Sequence, residues 1–192
     1  MKRSFYDRSV LEVARGLIGC LVVHDACAGV IVETEAYHES EPACHAFVGL
    51  TPRTRTLFGP PGLAYVYRSY GIHALLNAVS EPEGVGAAVL IRALEPVDGI
   101  EQMRARRGVK PIRGLCSGPG KLTQALGIGL AHNGVDLHHG AVLIEPAPGA
   151  WRGIPVAVDR RIGITRAVDL RWRFCAAGSR FLSRPVAPEA VR

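Results

Sequence analysis

Glu33 and Glu35 stand two residues apart in the strip Glu33-Thr34-Glu35-Ala36-Tyr37, directly after the apolar run Val30-Ile31-Val32. Alternation with period two reads as a strand. It puts Val30, Val32, Thr34 and Ala36 on one face and Ile31, Glu33, Glu35 and Tyr37 on the other. Two carboxylates beside a phenol could form the floor of a catalytic cleft, where they would activate water or move protons. The plain alternative is a solvated sheet edge, since Glu and Tyr are common on exposed faces. A second group of candidates gathers three of the five tyrosines, Tyr65, Tyr67 and Tyr70, within six residues. Tyr65 and Tyr67 share a strand face, where rings either fill a core or stack a planar ligand. Tyr70 precedes Gly71 at a turn, where a ring can project and wedge into a duplex.

Asn77 and Arg92 each interrupt an apolar strand. A charge there is costly unless it meets a counter-charge or faces a polar cleft, and Glu33 and Glu35 are the nearest anionic candidates. A structural Arg–Glu pair would satisfy the same requirement. Gly118-Pro119-Gly120-Lys121 opens a helix with proline at its first position. Lys121 then sits in the first turn, where the helix dipole disfavours a cation, and an anion bound at the exposed amides would relieve this.

Positioning these side chains requires a sheet with a few helices. Ser9-Val10-Leu11-Glu12 has the form of a capping box and predicts a helix over 9–18. Strands are predicted over 20–24, 29–37, 63–68, 72–80, 86–95, 141–145 and 154–164, and helices over 97–107 and 119–126. Gly-Pro breaks separate several of them, as at Gly59-Pro60-Pro61-Gly62. Neighbouring strands with only occasional helices argue for an α+β fold on a curved, largely antiparallel sheet with helices around it. No repeat or long linker divides the chain, so 1–192 is expected to be a single domain, frayed from about residue 187.

Composition narrows the function classes. The 192 residues, 48% hydrophobic and 21% charged, fit one domain with its own core. No run of about 18 apolar residues appears, and no apolar stretch follows the basic opening, so neither a membrane span nor a signal peptide is expected. Five scattered cysteines without a C-x-x-C pair argue for reduced thiols in the cytoplasm, and the seven histidines lack ligand spacing, so no metal is expected. The net charge of +6 is uneven. Residues 1–151 balance 14 Lys+Arg against 14 Asp+Glu, whereas 152–192 carry nine Arg against Asp159, Asp169 and Glu189. Guanidinium groups suit phosphate oxygens. A general preference for Arg explains its use over Lys but not this asymmetry.

Taken in order, several motifs match a known family: Glu33-Thr34-Glu35-Ala36-Tyr37, His45, Thr51-Pro52-Arg53-Thr54-Arg55, Tyr65-Val66-Tyr67, Tyr70-Gly71, Asn77, Leu90-Ile91-Arg92-Ala93-Leu94-Glu95-Pro96 and Gly118-Pro119-Gly120-Lys121-Leu122. Together they closely resemble the alkyladenine (3-methyladenine) DNA glycosylase family, from about residue 10 to residue 183, in a compact bacterial-length form. The resemblance implies that Glu35 is the general base that deprotonates water for attack at C1′, and that Arg92 sits beside that water and holds Glu35 ionised. Tyr37 and Tyr67 would stack on the flipped base, His45 would close the pocket near the sugar, and the backbone about Ala43 to His45 would read the base edge. Asn77 would reject the guanine 2-amino group. Tyr70 would fill the gap in the duplex, with Ile72 and His73 beside it, while Lys121 and the amides near Gly178 and Ser179 would hold phosphates. The expected partner is damaged duplex DNA bound by a monomer, with no cofactor. No Lys lies near the Glu35 strip in sequence, so hydrolysis without Schiff-base lyase chemistry is expected. Two other readings stay open. Glu33 and Glu35, ~7 Å apart as i and i+2 of a strand, could be a carbohydrate hydrolase pair; alternatively the sheet could bind nucleic acid without catalysis.

Overall fold

The computed structural model describes residues 1–187, and among them eight strands form one antiparallel sheet. They are β1 (Leu21–His24), β2 (Cys27–His38), β3 (Ala64–Ser69), β4 (His73–Val79), β5 (Ala87–Asp98), β6 (Val142–Glu145), β7 (Val156–Asp159) and β8 (Arg173–Ala176). Helices α1 (Arg3–Tyr6), α2 (Val10–Gly16), α3 (Ile100–Arg107) and α4 (Pro119–Leu126) accompany it. The α+β, antiparallel expectation holds. Strand order is β3-β4-β5-β2-β1-β6, with β8 pairing both β2 and β7.

β2, rich in β-branched residues, takes the centre. One edge pairs with β5; the other pairs first with β1 and then, along residues 33–35, with β8. Every residue of β2 from Cys27 to Ala36 is therefore buried, and the solvated-edge alternative is excluded. Two register shifts flank Glu33. Ile31 pairs with Leu94, Glu33 with Ala93 and Thr34 with Ile91, so Val32 is an extra residue on β2 and Arg92 an extra residue on β5. Such bulges re-aim side chains and increase local twist. They also break strict alternation: Ile31 and Val32, adjacent in sequence, both enter the main core with Leu76, Ile91, Leu94 and Leu122. On that side α2 packs against β2, and Thr34 donates its hydroxyl to the Ala14 carbonyl at 2.8 Å.

Several local expectations give way to tertiary contacts. Ser9 makes no side-chain cap; the Val10 N–H instead donates to Glu81 Oε1 at 2.8 Å, an acceptor brought from far along the chain. α3 begins at Ile100 because β5 continues through Asp98 and Gly99, at φ 71°, turns the chain. The strand expected over 154–164 ends at Asp159, while β8 and α1 carried too little apolar periodicity to be foreseen. Fraying beyond residue 187 lies outside the described residues. All five cysteines are unbonded and buried, and no described helix is long and apolar enough to cross a membrane.

Candidate active site

The two bulges bring Arg92 across both glutamates. Its Nε donates to Glu33 Oε1 at 2.9 Å and its Nη1 to Glu35 Oε2 at 3.1 Å. The carboxylates then diverge. Glu33 also accepts from Arg173 Nε at 2.8 Å, the Ser183 N–H at 2.6 Å and the Ser183 hydroxyl at 2.8 Å. Glu35 Oε2 accepts from the Tyr37 hydroxyl at 2.9 Å, and Oε1 from the Ile162 N–H at 2.6 Å. Both side chains are fully buried. Burial pushes the Glu35 carboxyl above the ordinary glutamate range; Arg92, the Ile162 N–H and the Tyr37 hydroxyl pull it down, and Glu33 adds a smaller upward push. Arg92 thus acts in the expected direction but does not outweigh desolvation. A carboxylate with such opposed influences is poised to take a proton.

Tyr37, Arg92 and Ile162 connect Glu35 to a cavity of about 600 Å³, within the ordinary range for small-ligand pockets. Its wall is largely aromatic and apolar: Tyr37 from β2, Tyr65 and Tyr67 from β3, Leu75 and Asn77 from β4, Leu90 from β5 and His45 from a short turn of 3₁₀ helix. Tyr65 and Tyr67 stack at 5.3 Å between ring centres, and His45 meets Tyr67 edge-on at 4.6 Å. The Tyr65 hydroxyl lies 3.1 Å from His45 Nδ1, which gives Tyr65 a place in the wall as well as in the apolar packing. Burial first, and then the Arg53 cation, lower the His45 pKa, so the ring is neutral at physiological pH and adds no charge to the cavity. Asn77 is fixed by its Nδ2, which donates to the Tyr65 carbonyl at 2.9 Å.

At the rim, β3 and β4 are joined by a turn with φ 49° at Tyr70 and 73° at Gly71. Positive φ at consecutive positions marks a primed hairpin turn, which favours Gly, Asn or Asp. A tyrosine there carries about 1–2 kcal/mol of strain. Yet the residue is 87% exposed, so little packing in the isolated protein compensates for it. Ile72 beside it is also exposed. α4 closes the rim. A Cβ at Gly120 would come within 2.9 Å of His73, so glycine lets the start of this helix lie against β4. Lys121 lies exposed in the first turn and lines the cavity with Gly118, Pro119 and His73.

The structure thus gathers Tyr37, Ala43, His45, Tyr67, Asn77, Arg92, Tyr70, His73 and Lys121 around one cavity, with Glu35 immediately behind it. Other expectations need correction. The Ala43 N–H already donates to Glu41 Oε2 at 2.8 Å, and the Cys44 N–H to the Glu41 carbonyl, so neither is available to a base edge; the His45 N–H has no partner among the described residues. Of the amides expected to hold phosphates, the Ser179 N–H is taken by the Ala176 carbonyl; Gly178 and Ile72, expected on the DNA backbone and beside the wedge rather than on the base, lie outside the cavity lining. Lys121, far from Glu35 in sequence, is brought to the same cavity, so sequence distance alone does not exclude a nearby amine. The Arg surplus after residue 151 is partly internal, since Arg161 and Arg173 are buried in ion pairs. Arg173, Ser183, Ile162, Glu41 and Arg161 were missed as site residues. The one sequence signal was an arginine set directly before an apolar run, as at Arg173-Phe174-Cys175-Ala176.

Comparison with known proteins agrees with this geometry. The family model described as Methylpurine-DNA glycosylase (MPG) matches residues 4–180. A protein of Bradyrhizobium diazoefficiens named "Putative 3-methyladenine DNA glycosylase" is 54% identical over 185 residues, covering 96% of this chain and 91% of its own length. One of the same name from Rhodopseudomonas palustris is 53% identical, covering 97% and 92% respectively. Another, from Methanoculleus marisnigri, is 50% identical, covering 94% and 97%. A buried carboxylate–arginine pair behind an aromatic cavity, and a family match over nearly the whole chain, lead to one conclusion: this chain belongs to the methylpurine-DNA glycosylase family.

Proposed function

We propose that this protein is a single-domain, monomeric glycosylase of the bacterial cytoplasm that flips alkylated or deaminated purines out of duplex DNA and hydrolyses their N-glycosidic bond, starting base excision repair. The observation that carries this reading is the Glu35 carboxylate, held by Arg92, Tyr37 and Ile162 directly behind a cavity walled by tyrosines. The two Glu35 oxygens accept three hydrogen bonds and retain capacity for a fourth, from water. That water attacks C1′ and gives its proton to Glu35, while the C1′–N bond breaks with its electrons passing to the base. The carboxylate also stabilises the oxocarbenium-like sugar. A base alkylated at N3 or N7 carries a positive charge, leaves neutral and is attracted to tyrosine faces. The family and the names of its relatives support 3-methyladenine as substrate; 7-methylguanine, hypoxanthine and ethenoadenine fit the same cavity chemistry. The carbohydrate-hydrolase reading loses its second carboxylate, because Glu33 is occupied by two arginines and Ser183.

The direct test incubates the protein with duplexes that each carry one lesion and measures abasic sites after alkali. Release from none of them would reject the proposal. Lys121, assigned here to a phosphate, should give no covalent adduct with DNA under borohydride; trapping would instead indicate Schiff-base chemistry.

Tyr70 stores strain with little internal compensation, which fits a ring that finds its partner in a duplex. Tyr70→Ala should slow excision from duplex by about tenfold and change excision from single strands little, since a single strand leaves no gap to fill. Equal effects on both would remove the wedge role.

Asn77, held rigidly by its bond to the Tyr65 carbonyl, faces the cavity with a side chain that shortening would withdraw. Asn77→Ser should admit the guanine 2-amino group and raise excision of mispaired guanine relative to hypoxanthine by roughly 1–3 kcal/mol of transition-state stabilisation. If single-turnover rates for both bases fall in parallel, Asn77 is a structural hydrogen bonder and guanine is rejected elsewhere.

A further inference from the structure

The Tyr37 ring has a cation on its far side. Arg161, in the segment after β7, is buried, and its guanidinium carbon lies 4.6 Å from the centre of the Tyr37 ring and 5.3 Å from that of Trp172. Tyr37 lines the cavity and Arg161 does not, so the guanidinium backs the ring that the base would stack upon. Its Nη1 donates to Glu41 Oε1 at 2.6 Å and to the Ala36 carbonyl at 3.0 Å, while Nε and Nη2 are buried without any hydrogen-bond partner. The second Glu41 oxygen accepts from the Ala43 N–H at 2.8 Å. One ion pair therefore braces two cavity walls, the stacking ring and the 41–45 turn.

We propose that the buried Arg161–Glu41 pair behind Tyr37 sets how the enzyme divides its activity between cationic and neutral purine bases. This rests on the base-stacking role of Tyr37 given above. A cation on one face of a ring draws on the same π electrons that would attract a cation on the other, and it also repels that cation through space. Arg161 thus weakens capture of an N-alkylated, positively charged base. A neutral purine such as hypoxanthine gains negative charge as its bond to the sugar breaks, and the same guanidinium stabilises that charge. Both effects tilt the enzyme toward neutral lesions, and Glu41 limits the tilt by offsetting the guanidinium charge. Glu41 is thus the control on a balance that Arg161 creates.

The test measures second-order single-turnover constants for 7-methylguanine and hypoxanthine in otherwise identical duplexes, and takes their ratio within each preparation. The ratio cancels any loss of folded enzyme. Arg161→Gln should raise the 7-methylguanine to hypoxanthine ratio about three- to tenfold, and Glu41→Gln should lower it by a similar factor. Arg161→Lys, which keeps the charge, should leave the ratio near the parent's even if both rates fall. Parallel losses on both lesions in Arg161→Gln and Glu41→Gln would make the pair a packing feature and overturn the proposal. Shifts of both variants in the same direction would overturn it too. If the parent enzyme excises neither lesion, the glycosylase reading fails first, and that result is distinct from an unchanged ratio in an active enzyme.

Discussion

The Glu35→Gln variant is expected to release alkylated base at least about 100-fold more slowly than the parent while still binding lesion-containing duplex, as for loss of a positioned general base. The amide cannot take the water proton. It keeps the shape of the side chain: its oxygen can still accept from the Ile162 N–H and its NH2 can donate to the Tyr37 hydroxyl once that turns to accept, at the cost of the bond from Arg92 Nη1, which then faces a second donor. The pH profile provides a second readout. Burial raises the Glu35 pKa above the usual range, so the active, ionised form is gained as pH rises through that raised value. The acid limb of kcat/KM should lie above pH 4.5 in the parent and vanish in the variant. Linkage predicts the matching cost: a carboxyl whose pKa is raised by folding contributes stability only in its protonated form, present below the unfolded pKa and lost as pH rises through the folded one. Substantial activity in Glu35→Gln, or comparable loss of chemistry in a well-folded Glu33→Gln, would exchange the roles of the two carboxylates.

The second large effect concerns stability. Arg173 is fully buried, with Nε on Glu33, Nη1 3.2 Å from Asp159 Oδ2 and Nη2 donating to the Arg184 carbonyl at 2.6 Å. Replacing it with leucine leaves Glu33 inside the sheet with one arginine where it had two. Removing one member of a buried ionic cluster costs on the order of 3 kcal/mol. For a chain of this size that is roughly a 6–12 °C fall in Tm by differential scanning calorimetry. Combining Arg173→Leu with Glu33→Gln should recover part of the loss, since the stranded charge is then gone. A melting temperature unchanged by Arg173→Leu would mean that Arg92 and Ser183 alone satisfy Glu33.

Those two residues show what could be read from the chain and what could not. The Glu35 strip, the tyrosine cluster, Asn77, Arg92 and the α4 start were visible because each is a local exception: a charge in an apolar strand, a lysine at the wrong end of a helix, a ring at a turn. Strand positions followed from apolar runs bounded by Gly and Pro. The partners of these groups were hidden because they come from distant segments whose local pattern says nothing about them. β8 is four residues that open with a buried arginine, and only pairing with β2 and β7 makes it a strand. The bulges at Val32 and Arg92 need two strands in register before they exist at all. Ser9 read as a cap because its sequence neighbours fit the motif, but Glu81 supplies the acceptor from across the fold. The Ala43 N–H looked available to a base until Glu41 folded back on it.

The five cysteines bear on the enzyme's own survival. Lesions such as 3-methyladenine arise from electrophiles, and an electrophile that reaches DNA also reaches protein thiols. The nucleophile in that reaction is the thiolate. Burial pushes Cys20 and Cys44 up to about 11 and Cys116 and Cys175 up to about 12, so these sulfurs stay protonated, and all five lie beneath the surface. Of the five, only Cys44 lines the cavity, so an alkylating agent meets little exposed sulfur on this protein.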